Sequence, residues 1–201
     1  MCLIAASAEP RATGVSSTAT AGDAFMATFG EAAPPLGYVN FCRLNHDECA
    51  RAGDFTGRVV LTPTRRAEIA GVNDRVNAMI RPATDLELYG AVEHWTLPIS
   101  RGDCEDYVLL KRHLLIEKGW PSSALLITVV RDEQGDGHAV LTVRTRSGDF
   151  ILDNKQPRIL PWRDTGYEYI KRQSFRDPTV WVSLSPSPSQ VAGAASSPDD
   201  R

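Results

Sequence analysis

The sequence predicts an α+β fold, and three observations lead to that class. Two helix-like stretches come early, opening at Thr62-Pro63 and at Asp103. Strand-like runs then follow one another from Ala124 to Val182. Turn residues separate those runs, Asp132–Gly137 and Ser147-Gly148 foremost. Helices first and consecutive antiparallel strands after argue against alternating βαβ units.

Taken in order, residues 1–25 are rich in Ala, Ser, Thr and Gly and have no period, which predicts a leader or flexible arm. Their start, MCLIAASA, ends in the small-x-small pattern Ala6-Ser7-Ala8 but lacks a basic region before it; it reads as a shortened export signal. LGYVNFC is expected to be a short strand. Thr62 is placed to cap a helix and Pro63 suits its first turn. Apolar residues Ile69, Val72, Val76, Met79 and Ile80 keep helical spacing until Pro82. ATDLELYGAVEHWTLPIS reads as an extended connector. In the second helix Asp103 is the expected N-cap, with Asp106 three residues on, and Tyr107, Leu110, Leu114 and Leu115 form the buried stripe up to Gly119. Expected strands are Ala124–Arg131, His138–Arg144, Asp149–Asp153, Tyr167–Lys171 and Thr179–Val182. The domain is expected over 26–182, with a low-complexity tail over 183–201.

The bulk numbers bound the function. A chain of 201 residues, 42% hydrophobic and 23% charged, suits one soluble domain with its own core. A formal net charge of -3 argues against a nucleic-acid platform, so no nucleic-acid partner is expected. No apolar run reaches the roughly 18 residues of a membrane span.

There are four cysteines, Cys2, Cys42, Cys49 and Cys104. Cys42 and Cys49 bracket a short polar stretch and are expected to form a disulfide, which implies an oxidising compartment. Zinc held by Cys42, His46 and Cys49 lacks a fourth ligand nearby, and two unrelated thiols are the other alternative.

Cys104 opens a helix, His138 begins a strand, and Asp153 ends the next strand of the same hairpin. Antiparallel pairing through Ser147-Gly148 brings the two strand ends together. An imidazole beside a carboxylate is held in one tautomer and kept basic. A thiol within its reach makes a thiolate–imidazolium pair, the requirement for cysteine nucleophilic catalysis. Taken singly, each residue has an ordinary reading as packing, a solvated histidine or turn chemistry; the joint placement is what points to catalysis.

The stretches VNDRVNAMI, DLELYGAVEHWTLP, GDCEDY, GHAVLTV and GDFILDN occur in that order from about Val72 to Tyr169. This half of the chain resembles the bacterial transglutaminase-like cysteine proteinases, among them the LapG-type periplasmic proteases. The resemblance implies a papain/transglutaminase-like core with the nucleophile's helix packed on an antiparallel sheet. It implies Cys104 as nucleophile, His138 as base and Asp153 as orienting acid. It further implies a periplasmic location, calcium dependence, a large surface adhesin as substrate, and an inner-membrane receptor as regulator. The Cys42–Cys49 stretch and the long tail depart from the family pattern.

Three carboxylates surround Cys104, and negative charge opposes thiolate formation. In the family the acids beside the nucleophile help to bind calcium, which implies Asp103, Glu105 and Asp106 as ligands, carboxylate oxygens suiting a hard cation. Their other reading is helix capping and dipole complementation. For the oxyanion, the Cys104 amide of the helix start is one expected donor, and the Trp95 indole N–H the second; Trp95 as a core plug is the competing reading. Two further functions fit the same residues: transamidation, with an amine replacing water, and a non-catalytic module binding calcium or an envelope partner. The residues leave the oligomeric state undetermined.

Overall fold

The computed structural model describes residues 24–51, 54 and 57–186. The expected leader and tail therefore lie outside the described residues, apart from 24–25 and 183–186. The described chain is mixed α+β, as the sequence predicts. It runs β1 (Glu31–Ala32), α1 (Leu36–Leu44), α2 (His46–Cys49), α3 (Pro63–Met79), β2 (Arg81–Pro82), α4 (Asp85–Tyr89), β3 (Arg101–Gly102) and α5 (Cys104–Glu117). After these come β4 (Leu125–Arg131), β5 (Gly137–Thr145), β6 (Gly148–Leu152), β7 (Leu160–Pro161), β8 (Glu168–Gln173) and β9 (Trp181–Ser183). Among the described residues, no helix is long and apolar enough to cross a membrane.

One antiparallel sheet orders the strands β1-β9-β8-β4-β5-β6-β7. Its centre, β4, is buried from Leu125 to Val130, which explains a run of apolar residues with no alternation. Helix α5 lies on one face and is buried continuously from Cys104 to Arg112. A helix enclosed on most sides is a core helix; here β5 lies on one side and α3 on another. Helix α3 begins where expected, with the Thr62 side chain accepting from Arg65 N–H at 3.2 Å, and it turns Ile69, Val72 and Val76 inward. Helix α5 is followed by Gly119 at φ +84°, a conformation that favours glycine.

Two expectations are corrected. LGYVNFC is helical, not extended, because Tyr38 and Phe41, three residues apart, share the buried face of α1. Tyr38 meets Trp95 and Trp181 edge-on, with ring centroids 5.7 and 5.4 Å apart. The connector after Pro82 contains α4, opened by a full capping box: Thr84 accepts from Glu87 N–H, and Glu87 accepts from Thr84 N–H. The Thr-x-x-Glu spacing was there to be read. The disulfide expected between Cys42 and Cys49 is present, joining α1 to α2.

Gly37 lets α1 approach Trp95. A Cβ there would collide with the Trp95 ring and would lie 2.8 Å from Glu93 O. Gly37→Ala is expected to destabilise the protein by about 2 kcal/mol through overpacking, lowering Tm by about 4–8 °C in a thermal melt.

Candidate active site

The site forms where α5 begins and the β5–β6 hairpin ends. That ladder closes at Leu141 opposite Leu152. Ala139, just beyond it, has no β6 partner and donates its N–H to Cys104 Sγ at 3.2 Å. The nucleophile's helix is thereby seated against the strand that carries His138. Asp153 follows directly on Leu152, at the same end of the ladder.

His138 is fully buried, and its Nε2 lies 2.8 Å from Asp153 Oδ1. Its other ring nitrogen, Nδ1, is buried and has no hydrogen-bond partner, which leaves it as the nitrogen for proton exchange. Burial pushes the Asp153 carboxyl up, but the hydrogen bond and charge of His138 outweigh that, helped by Tyr167 and the Lys155 backbone, and hold it below the ordinary range. Lys155 N–H reaches Asp153 Oδ1 at 2.9 Å, and Asn77 Nδ2 donates to the Asp153 carbonyl at 2.8 Å. Cys104 is disulfide-bonded in the full chain, so the nucleophile is its reduced form.

Tyr167 was missed at the sequence level, where it served only as a strand boundary. Its hydroxyl donates to Asp153 Oδ2 at 2.6 Å, and its ring meets the His138 ring edge-on at 5.8 Å. Nothing in the local sequence announces it, because the contact depends on how the chain returns after β7. Tyr167→Phe is expected to lower kcat about tenfold, the scale of one hydrogen bond to a charged group. With that bond gone, the Asp153 pKa rises towards its ordinary value. The stability that its depressed pKa provides is present above the unfolded pKa and lost as pH falls through the folded one. In the variant this loss, and the acid limb of the rate profile, should therefore move to higher pH, read from kcat and Tm between about pH 3 and pH 7.

The acids beside Cys104 do not cap α5 through their side chains. Asp103 is at the N-cap, but its Oδ2 accepts Asp85 N–H at 3.3 Å. Asp106 Oδ1 accepts Thr96 N–H at 2.9 Å, and Asp85 Oδ2 accepts His94 N–H. Each carboxylate keeps a second oxygen, Oδ1 of Asp85 and Asp103 and Oδ2 of Asp106, that is buried without a hydrogen-bond partner. Oxygens of the three groups lie within 4.8 Å of one another. Burial raises all three carboxyls, and the charge of Asp103 adds to it at the other two, taking Asp85 to about 6 and Asp106 to about 8. Three buried carboxylates with oxygens at this spacing, each with one oxygen unpartnered, form a donor set suited to a hard dication. Gly102 leaves room for the Asp106 carboxylate, since a Cβ there would lie 2.5 Å from Asp106 Oδ2.

Of the expected ligands, Asp103 and Asp106 thus converge, and Asp85, brought in by the start of α4, joins them. Glu105 lies outside this group; its Oε2 is 3.2 Å from Cys104 Sγ, and burial followed by the Asp103 charge raises its pKa well above the ordinary value. Trp95 is corrected as an oxyanion donor: its Nε1–H is donated to Glu93 Oε2 at 3.2 Å, and its ring is packed in the core.

The profile of the family described as bacterial transglutaminase-like cysteine proteinase (BTLCP) matches residues 28–189. Solved structures of LapG from Legionella pneumophila are similar in fold. One is 25% identical, with a TM-score of 0.51 over 65% of this chain and 75% of that one. A calcium-bound LapG is 24% identical, with a TM-score of 0.52 over 64% and 74%. An EGTA-treated LapG is 26% identical, with a TM-score of 0.47 over 53% of this chain and 62% of that one, less than two thirds of its length. No curated protein matches the chain.

Proposed function

The chain belongs to the bacterial transglutaminase-like cysteine proteinases, and from that premise we propose that it is a calcium-dependent cysteine endopeptidase of the periplasm, acting through Cys104, His138 and Asp153. The observation that carries the reading is the seating of Cys104 Sγ on Ala139 N–H beside a His138 whose Nε2 is committed to Asp153. His138 Nδ1 takes the thiol proton and Asp153 steadies the resulting imidazolium. The thiolate attacks the peptide carbonyl, the C–N bond breaks, and the imidazolium proton leaves with the amine. Water, deprotonated by His138, then hydrolyses the thioester, releasing the acid and restoring the thiol. The Cys104 amide, in the first turn of α5, is the proposed donor to the oxyanion.

Asp85, Asp103 and Asp106 would hold the calcium ion. When bound, it supplies positive charge that offsets the acids around the sulfur and favours the thiolate. The substrate is taken to be a large surface adhesin and the regulator an inner-membrane receptor, both by the resemblance to LapG-type proteases; the Cys42–Cys49 disulfide supports an oxidising compartment.

The test is incubation of the reduced protein, with calcium and a primary amine, with an adhesin N-terminal fragment, followed by mass spectrometry. Cleavage with gain of one water at the new acid end supports the proposal. Amine incorporation without cleavage would move the chain to the transamidases, and an unchanged substrate would sink the reading.

A further inference from the structure

The sheet face turned away from α5 carries a charge surplus that the proteolytic site does not use. On it Arg144 of β5 stands opposite Asp149 of β6, and Arg172 of β8 stands opposite Thr128 of β4. Arg58 enters from the preceding loop and places its Nη1 2.5 Å from Asp149 Oδ1. The charges of these four groups act on one another. Arg144 and Arg172 are only 6% and 4% exposed.

Three cations therefore share one carboxylate, and that carboxylate is already engaged. Asp149 Oδ1 is taken by Arg58, and Oδ2 accepts Met26 N–H at 2.9 Å and Arg58 Nη2 at 3.4 Å. Arg144 gives Nη1 to Ser123 O at 2.8 Å and lies over the Phe175 ring at 4.1 Å. What remains is Nε of Arg144 and both Nε and Nη1 of Arg172, all buried and without a hydrogen-bond partner. Between the two arginines, the Thr128 and Thr142 hydroxyls are 2.6 Å apart, and Thr128 donates onward to Leu126 O at 3.1 Å.

A guanidinium cannot escape this position by losing its proton. Burial pulls Arg144 down only to about 10, so it stays charged at neutral pH. A buried cation with idle donors is strongly unfavourable until an acceptor of opposite charge arrives. We infer that Arg144 and Arg172, with Arg58 beside them, form a binding site for a small inorganic anion of the chloride or phosphate class. The anion would neutralise the surplus and tie together β4, β5, β6, β8 and the segment around Met26. The site shares no residue with the triad, so its failure would leave the proteinase reading standing.

The test is thermal unfolding of the full chain at fixed ionic strength, with isethionate replaced by chloride, bromide or phosphate. A saturable rise in Tm of about 5 °C is expected with chloride or phosphate. Arg172→Met should abolish that rise. It should also melt no lower than the wild type in isethionate, because an apolar chain of similar length replaces an uncompensated charge. Bromide-soaked wild-type crystals give a readout independent of that variant, and an anomalous peak within hydrogen-bond distance of both guanidinium groups is expected. Equal wild-type melting in all four anions, an undiminished rise in Arg172→Met, or bromide bound only elsewhere would each overturn the inference.

Discussion

His138→Ala is expected to reduce kcat for peptide hydrolysis by about 10³–10⁴-fold while leaving KM within a few-fold, since the lost interaction is made chiefly in the transition state. Cys104→Ala should abolish turnover altogether, because no other described side chain at the site can form the acyl-enzyme. The alkylation rate separates the two roles. In the reduced wild type Cys104 should react with iodoacetamide well below the ordinary thiol pKa of about 8.5, because His138 accepts its proton. In His138→Ala that reactivity should retreat to alkaline pH. A variant that alkylated with the wild-type pH profile would remove His138 from the role of base. Asp153→Asn should fall between the wild type and His138→Ala in rate, since it keeps a hydrogen-bonding group beside Nε2 but takes away the charge.

On the proposed function, calcium removal is expected to give the second large effect. With EGTA the three carboxylates of Asp85, Asp103 and Asp106 face one another uncompensated. Their raised pKa values give the sign of the pH dependence: a carboxyl held above its unfolded value costs stability once it must ionise. The calcium-free protein should therefore lose Tm as pH rises from about 4 to about 8, the window between ordinary carboxyls and the Asp106 value near 8. Calcium should reverse that loss, and its affinity should weaken as pH falls, because protons then compete for the same oxygens. Asp85→Asn is the informative variant, since Asp85 lies outside the motif around the nucleophile. It should weaken calcium binding at least about tenfold by titration calorimetry, against the loss of one charged ligand, and raise the calcium needed for half-maximal proteolysis in parallel. Unchanged calcium affinity in Asp85→Asn would place the ion elsewhere.

Much of this was open to a reader of the sequence, for identifiable reasons. The triad lies at element ends: Cys104 at a helix start, and His138 and Asp153 at the two ends of one hairpin. Hairpin pairing is local, so its arithmetic needs only the turn at Ser147-Gly148. The disulfide was legible because its loop is short. The contributions of Asp85 and Tyr167 were not. Neither is joined to its partner by a hairpin turn: Asp85 meets Asp103 over 18 positions of connector, and Tyr167 meets Asp153 over 14 with β7 between them. Asp103 and Asp106 carried two readings, ligand and cap, because spacing alone does not distinguish a cap from a ligand. Their side chains turned instead to the backbone of Asp85 and Thr96. Trp95 carried two readings, donor and core plug; Glu93 takes its indole N–H and the core holds its ring.

The hairpin stop at Leu141 and Leu152 also bears on how the enzyme can go wrong. Side chains alternate along a strand, so a slip of one residue at the Gly148 corner would send the imidazole and its acid to opposite sides of the sheet. Such a molecule would still be compact and would still bury most of its apolar surface, yet it would be inert. Specific activity per folded molecule is therefore a direct gauge of pairing fidelity in this one ribbon. An insertion at the corner should give mixtures of fully working and dead molecules rather than a uniformly slower enzyme.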